Sequence, residues 1–142
     1  MSLKRVKEIM GEACAGFLAT TDGRRPAVRP MSACAWFGQE LYIATGADSA
    51  KVADVRACPA VEICFMAENF DHVRIRGRAK VSSDLRDKRR IFGAYRWMKD
   101  YFGSPDASDW VVLRVRPSSI RLMVMAKMRY QELKRRRPAN RR

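Results

Sequence analysis

The sequence predicts a mainly β domain, a barrel of six or seven short antiparallel strands with added helices, and three observations carry that expectation. Short runs rich in Val, Ile, Thr and aromatic residues recur between turn signals. In one of them Val73, Ile75, Gly77, Ala79 and Val81 alternate strictly with Arg74, Arg76, Arg78 and Lys80, so one face is small or apolar and the other cationic. Between two others sits Asp22-Gly23, a strong hairpin signal.

The elements follow in order. Leu3, Val6, Ile9, Met10 and Ala13 recur at helical spacing among charged residues, an amphipathic opening helix over 3–14. Residues 16–21 have strand composition. The Asp22-Gly23 turn leads into a second extended stretch from Pro26 to Trp36, where Pro30 biases Arg29 towards extended backbone. Gly38 marks the next turn and residues 41–45 the third strand. Gly46-Ala47-Asp48-Ser49 then supplies cap chemistry for a short helix from Ala50 to Ala57, which Cys58-Pro59 ends. Two further strands cover 61–66 and 73–81. Asp84 caps a helix running from Leu85 to about Tyr101, with Leu85, Ile91, Phe92, Tyr95 and Met98 inward. Trp110 to Val115 is a sixth strand, residues 117–119 a turn, and Ile120 to Met125 a seventh.

A chain of 142 residues, 47% hydrophobic and 31% charged, suits one globular domain. The start of the sequence lacks the apolar run of a signal peptide, and no segment reaches membrane-spanning length. Cys14, Cys34, Cys58 and Cys64 form no Cys-x-x-Cys element, so zinc and dithiol chemistry are not indicated, and free thiols in a reducing cytoplasm are expected. The net charge of +14 divides evenly: residues 127–142, with eight basic side chains and one acid, hold +7, and residues 1–126 the rest. The expected organisation is a domain over 1–126 and a basic, flexible tail over 127–142.

The chemistry gathers at Arg29-Pro30-Met31-Ser32 and at the end of the third strand, residues 44–51. Hairpin pairing is expected to bring the two together. A phosphate monoester needs cations, hydroxyls and exposed N–H groups, and Arg29, Lys51, Thr45, Ser49 and the N-terminus of the short helix offer all of these. Singly, each residue has a plain structural reading: a solvated strand arginine, a β-forming threonine, a cap, a surface lysine. Their order and adjacency are what suggest a phosphate site.

Residues 17–30, Leu41 to Thr45, Ser49-Ala-Lys51, Cys58 to Val61 and Val73 to Ala79 together resemble the pyridoxamine 5'-phosphate oxidase-like split β-barrels that bind FMN, in the branch of general stress protein 26. The resemblance covers roughly residues 3 to 125. It implies FMN bound between two subunits of a homodimer, with Arg29, Lys51, Thr45 and Ser49 on the phosphate and Pro30, Met31 and Ser32 lining the ring. It also implies that His72 reaches the flavin, from the neighbouring subunit. Full-length pyridoxamine 5'-phosphate oxidases carry a C-terminal Trp and Arg that have no match here after Trp110.

Three functions compete. An FMN-dependent oxidoreductase acting on a small molecule needs no triad or metal cluster, and the sequence has neither. A non-catalytic carrier of flavin, deazaflavin or haem is the second. The third is a nucleic-acid-binding module using the basic tail and Arg74, Arg76, Arg78 and Lys80, without any accompanying nucleic-acid motif.

Overall fold

Which faces the strands must bury decides how the chain is arranged. The computed structural model describes residues 3–134, in the order α1 (Leu3–Glu12), β1 (Gly16–Thr21), β2 (Pro26–Met31), β3 (Cys34–Phe37), β4 (Glu40–Gly46), α2 (Ala50–Ala57), β5 (Ala60–Met66), β6 (His72–Ser82), α3 (Leu85–Phe92), α4 (Met98–Phe102), β7 (Trp110–Val124) and β8 (Arg129–Glu132). All pairings are antiparallel, in the order β2-β1-β5-β6-β7-β4-β3, with β8 beside the last part of β7.

The sheet curls into a split barrel around the larger of two cores. Alternation aims Leu18, Ile63, Ile75 and Leu113 inward, where Val6 and Ile9 of α1 and Val52 and Val55 of α2 close over them. Each such side chain stabilises the fold by roughly 1.5–3 kcal/mol. A second core lies on the other side of β4 and β7: Tyr42, Ala44, Trp110 and Val112 pack beneath Ile91 and Met98 of α3 and α4. Asp87 fastens α3 there, accepting hydrogen bonds from Ser82 (2.7 Å) and Tyr42 (3.1 Å) and pairing with Arg114 (3.2 Å). Burial opposes its charge, but these partners outweigh it and hold the carboxyl below its usual range.

The structure departs from the sequence expectations in four places. The stretch from Pro26 to Trp36 is two strands, because the chain leaves β1 at Ser32 and Ala33 to join β4. The helix expected from Leu85 to Tyr101 stops at Gly93 and resumes at Met98, which lets Tyr95 and Trp97 face the barrel mouth. The sixth and seventh strands are one, β7, carried past Pro117 by a register shift opposite Arg76 and Gly77. Gly77 is required there, because a Cβ would run into the main-chain carbonyl of Arg116. Finally, β8 lies within the segment 127–142 assigned to a basic tail: Tyr130 pairs opposite Met123, and Leu133 packs against the core. The rest of that segment, 135–142, is outside the described residues.

Candidate functional site

Arg29 stands opposite Leu18 in the β1–β2 ladder, so its side chain shares the inward face with Leu18 and Thr20. Its guanidinium donates to the Thr20 hydroxyl at 2.6 Å, and that hydroxyl donates to Asp54 on α2 at 2.7 Å. A second guanidinium nitrogen lies 3.8 Å from the Asp54 carboxylate. Lys51, one turn earlier on α2, is pushed below the usual lysine range, first by burial and then by the charge of Arg29. Two cations are thus held close together, with Asp54 beside them. An anion near both would relieve their repulsion.

β2 and β4 do not form the expected hairpin: β2 pairs with β1, whereas β4 pairs with β3 and β7. They meet through the bend between β2 and β3, where the Ala44 N–H donates to the Ala33 carbonyl at 3.1 Å. This sets Pro30, Met31 and Ser32 beside Thr45, Gly46 and Lys51 along a cleft of ≈ 280 Å³. Ser49 takes the N-cap position of α2, but its hydroxyl turns back to donate to the Gly46 carbonyl at 2.8 Å instead of capping the helix. Of the leading N–H groups of α2, those of Val52 and Ala53 donate to the Ser49 carbonyl at 3.1 and 3.4 Å, and those of Ala50 and Lys51 precede any acceptor within the helix. The structure therefore gathers seven of the eight expected residues at one end of the barrel, with Arg29 reaching α2 from beneath.

A second cleft, ≈ 510 Å³, adjoins the first, and the two share Met31, Ser32 and Trp97. Together they have the size and mixture of apolar walls and few polar groups typical of a cofactor or substrate site. Cys34 in the second cleft is buried, which pushes its thiol up to about 12, so it stays protonated and unreactive.

His72, the eighth residue, lines neither cleft. It stands on the outward face of the sheet, in a row with Met66, Met123 and Tyr130 across β5, β6, β7 and β8. Nδ1 lies 2.9 Å from the Phe70 carbonyl, which can only accept, so that nitrogen carries the proton and Nε2 accepts from the Tyr130 hydroxyl at 2.8 Å. Sequence reasoning missed Thr20, Asp54, Trp97 and Tyr130. A threonine in a strand and an aspartate on a helix look ordinary, and only the Lys51–Asp54 spacing of one helical turn hinted at a shared face.

The defining sequence pattern of the pyridoxamine 5'-phosphate oxidase family matches residues 2–124. No curated protein matches the chain. Among solved structures, it is similar to a NimC/NimA family protein from Clostridium acetobutylicum, with a TM-score of 0.81 and 24% identity over 92% of this chain and 90% of that one. General stress protein 26 from Bacillus anthracis str. Sterne has a TM-score of 0.75 and 20% identity, over 92% and 97% of the two chains. An F420 reductase has a TM-score of 0.62 and 22% identity over 80% and 94%. At these identities the likenesses establish the fold. With the family pattern spanning nearly the whole described barrel, the chain belongs to the pyridoxamine 5'-phosphate oxidase family.

Proposed function

We propose that the protein is an FMN-binding oxidoreductase acting on a small molecule in the cytoplasm, as a homodimer with FMN at the subunit interface. The observation that carries this reading is Lys51, at the end of a cleft bordered by the Pro30-Met31-Ser32 bend and the buried Thr45, with the charge of Arg29 close behind it. Those residues fit a flavin monophosphate. Arg29 and Lys51 hold the phosphate, with the Thr45 hydroxyl and Ser49 after its hydroxyl rotates away from Gly46. Pro30, Met31 and Ser32 border the ring and keep water from it. FMN, when bound, supplies the hydride or electron chemistry. The likeness to an F420 reductase supports a deazaflavin as the second reading.

The outward sheet face supports the dimer. It leaves Phe17 52%, Val28 68% and Met66 46% exposed, and this face is where His72 stands. A second copy would cover that apolar surface, and a polar contact from His72 to the partner's cofactor would pass through the Tyr130 hydroxyl. Light scattering of the flavin-loaded protein is expected to give twice the 16.3 kDa chain mass. A loaded monomer would rule out the shared site.

Titration of FMN and riboflavin into wild type, Arg29→Ala and Lys51→Ala tests the phosphate assignment. Each substitution should weaken FMN by about 1.5–3 kcal/mol, the range for hydrogen bonds to charged groups, and riboflavin much less. Equal losses for both ligands, with the fold intact by circular dichroism, would refute it. Identification of the chromophore released from purified protein separates FMN from deazaflavin.

A further inference from the structure

Arg74, Arg76, Arg78 and Lys80 alternate with the buried residues of β6, so all four stand on the outward face of the sheet. Acids on that face answer some of its cations and leave others. Glu62 binds Arg74 at 2.6 Å and Arg76 at 3.0 Å. Glu40 and Asp87 both bind Arg114, at 2.7 and 3.2 Å. Arg78 and Lys80 remain exposed, with no hydrogen bond or ion pair among the described residues. The Arg116 side chain is 81% exposed and comes only within 3.8 Å of Glu40, a carboxylate that Arg114 already holds. In the ladder Arg78 stands directly opposite Arg116, and Lys80 opposite Arg114. Like charges in facing positions repel across a sheet, and an anion bound between them would relieve that cost.

Beside Arg78 the face is hollowed. A concavity of ≈ 650 Å³, lined by Thr21, Ala60, Arg76, Arg78 and Ser118 among others, lies between the β1–β2 hairpin and the irregularity of β7. Phe17, Val28 and Met66, the large apolar side chains exposed on β1, β2 and β5, sit in the rows of Arg74, Arg76 and His72. The row of Arg78 therefore offers a bilayer no large apolar side chain to insert. The second copy proposed above covers the apolar rows, and against the Arg78 row it would bring the same cations and the same net charge of +14. The partner that suits this end of the face is a polyanion.

We propose that Arg78, Lys80 and Arg116 bind the phosphodiester backbone of single-stranded nucleic acid, without regard to its sequence. Positions two apart on a strand are separated by about 6.6 Å, and facing positions on neighbouring strands by about 5 Å, so the three cations reach neighbouring phosphates of one strand. They do not span the major groove of a duplex, about 12 Å wide. No aromatic ring stands in the row of Arg78 to stack on a base, so the contact reads charge and spacing alone. This binding is independent of the flavin reading and uses none of its residues.

The test follows the fluorescence anisotropy of a labelled single-stranded RNA of about 20 nucleotides with the full chain, between about 50 and 200 mM salt. The face variant carries Arg78→Gln, Lys80→Gln and Arg116→Gln. A control carries Lys4→Gln, Arg86→Gln and Lys99→Gln, which remove the same charge from exposed helix positions. Each phosphate contact on a single strand contributes about 0.7 to the slope of log affinity against log salt, so the face variant should flatten that slope by about 2 and weaken binding about tenfold or more. The control should change the slope by less than about 0.5. Circular dichroism checks both folds, and if the triple variant does not fold, Arg78→Gln and Arg116→Gln singly should each flatten the slope by about 0.7. Equal flattening by face and control variants would overturn the proposal, because the attraction would then belong to the net charge and not to this face. An unchanged slope in the face variants would overturn it as well. So would face substitutions that weaken binding to phosphatidylglycerol vesicles and leave RNA binding intact, because the face would then serve a membrane.

Discussion

The two ends of the joined clefts are built on opposite principles. At the α2 end, polar groups from three elements lean on one another: Arg29 on Thr20, Thr20 on Asp54, and Lys51 against the charge of Arg29. At the Trp97 end the polar atoms of Trp36 and Tyr95 are bonded within the protein, and ring faces and thioethers make up much of the wall, with Lys7 at its edge. The first end is charged and responsive, the second apolar and fixed. A ligand with an anionic tail and a flat apolar head would find one property at each end.

The largest expected effect breaks the fixed end. Met98 is fully buried beneath the aromatic wall, and Met98→Ala should destabilise the protein by about 2–5 kcal/mol in urea unfolding. A loss below about 1 kcal/mol would mean that α4 rests loosely on the barrel and that the wall is not fixed. The smallest effect sharpens the responsive end. Asp54→Asn can still accept the Thr20 hydrogen bond but no longer offsets the two cations. FMN should bind up to about fivefold more tightly and riboflavin unchanged, since a partly exposed charge pair is worth up to about 1 kcal/mol. Weaker FMN binding would show that the carboxylate matters more for aiming Arg29 than for repelling phosphate. Between these two lies the loss expected from Arg29→Ala and Lys51→Ala.

The same division explains what could be read from the sequence. The alternating strands and the start of α2 were legible because each is set by neighbours along the chain, and Arg29 and Lys51 stood out because cations, hydroxyls and a helix start fell together. The aromatic wall was not legible. Tyr95 and Met98 fit the helical spacing from Leu85 well enough to hide the break, although Gly93 marked it. How β2 reaches β4 was equally hidden, because it depends on a bend at Ser32 and on closure of the barrel rather than on a hairpin. Tyr130 was lost to composition: a run of cations outweighed one aromatic residue at strand spacing from Glu132.

The irregularity in β7 at Pro117 has a consequence for how this chain can vary. Before it, Leu113 and Val115 are buried, and after it Ile120 and Leu122 are, so odd-numbered residues face the core on one side and even-numbered residues on the other. The strand changes parity partway along. Removing a single residue there would turn Ile120 and Leu122 out to solvent and Arg121 and Met123 into the core, although every side chain was kept. Pro117-Ser118-Ser119 looks like a surface turn, where changes of length are usually harmless, but here the number of residues is itself a structural constraint.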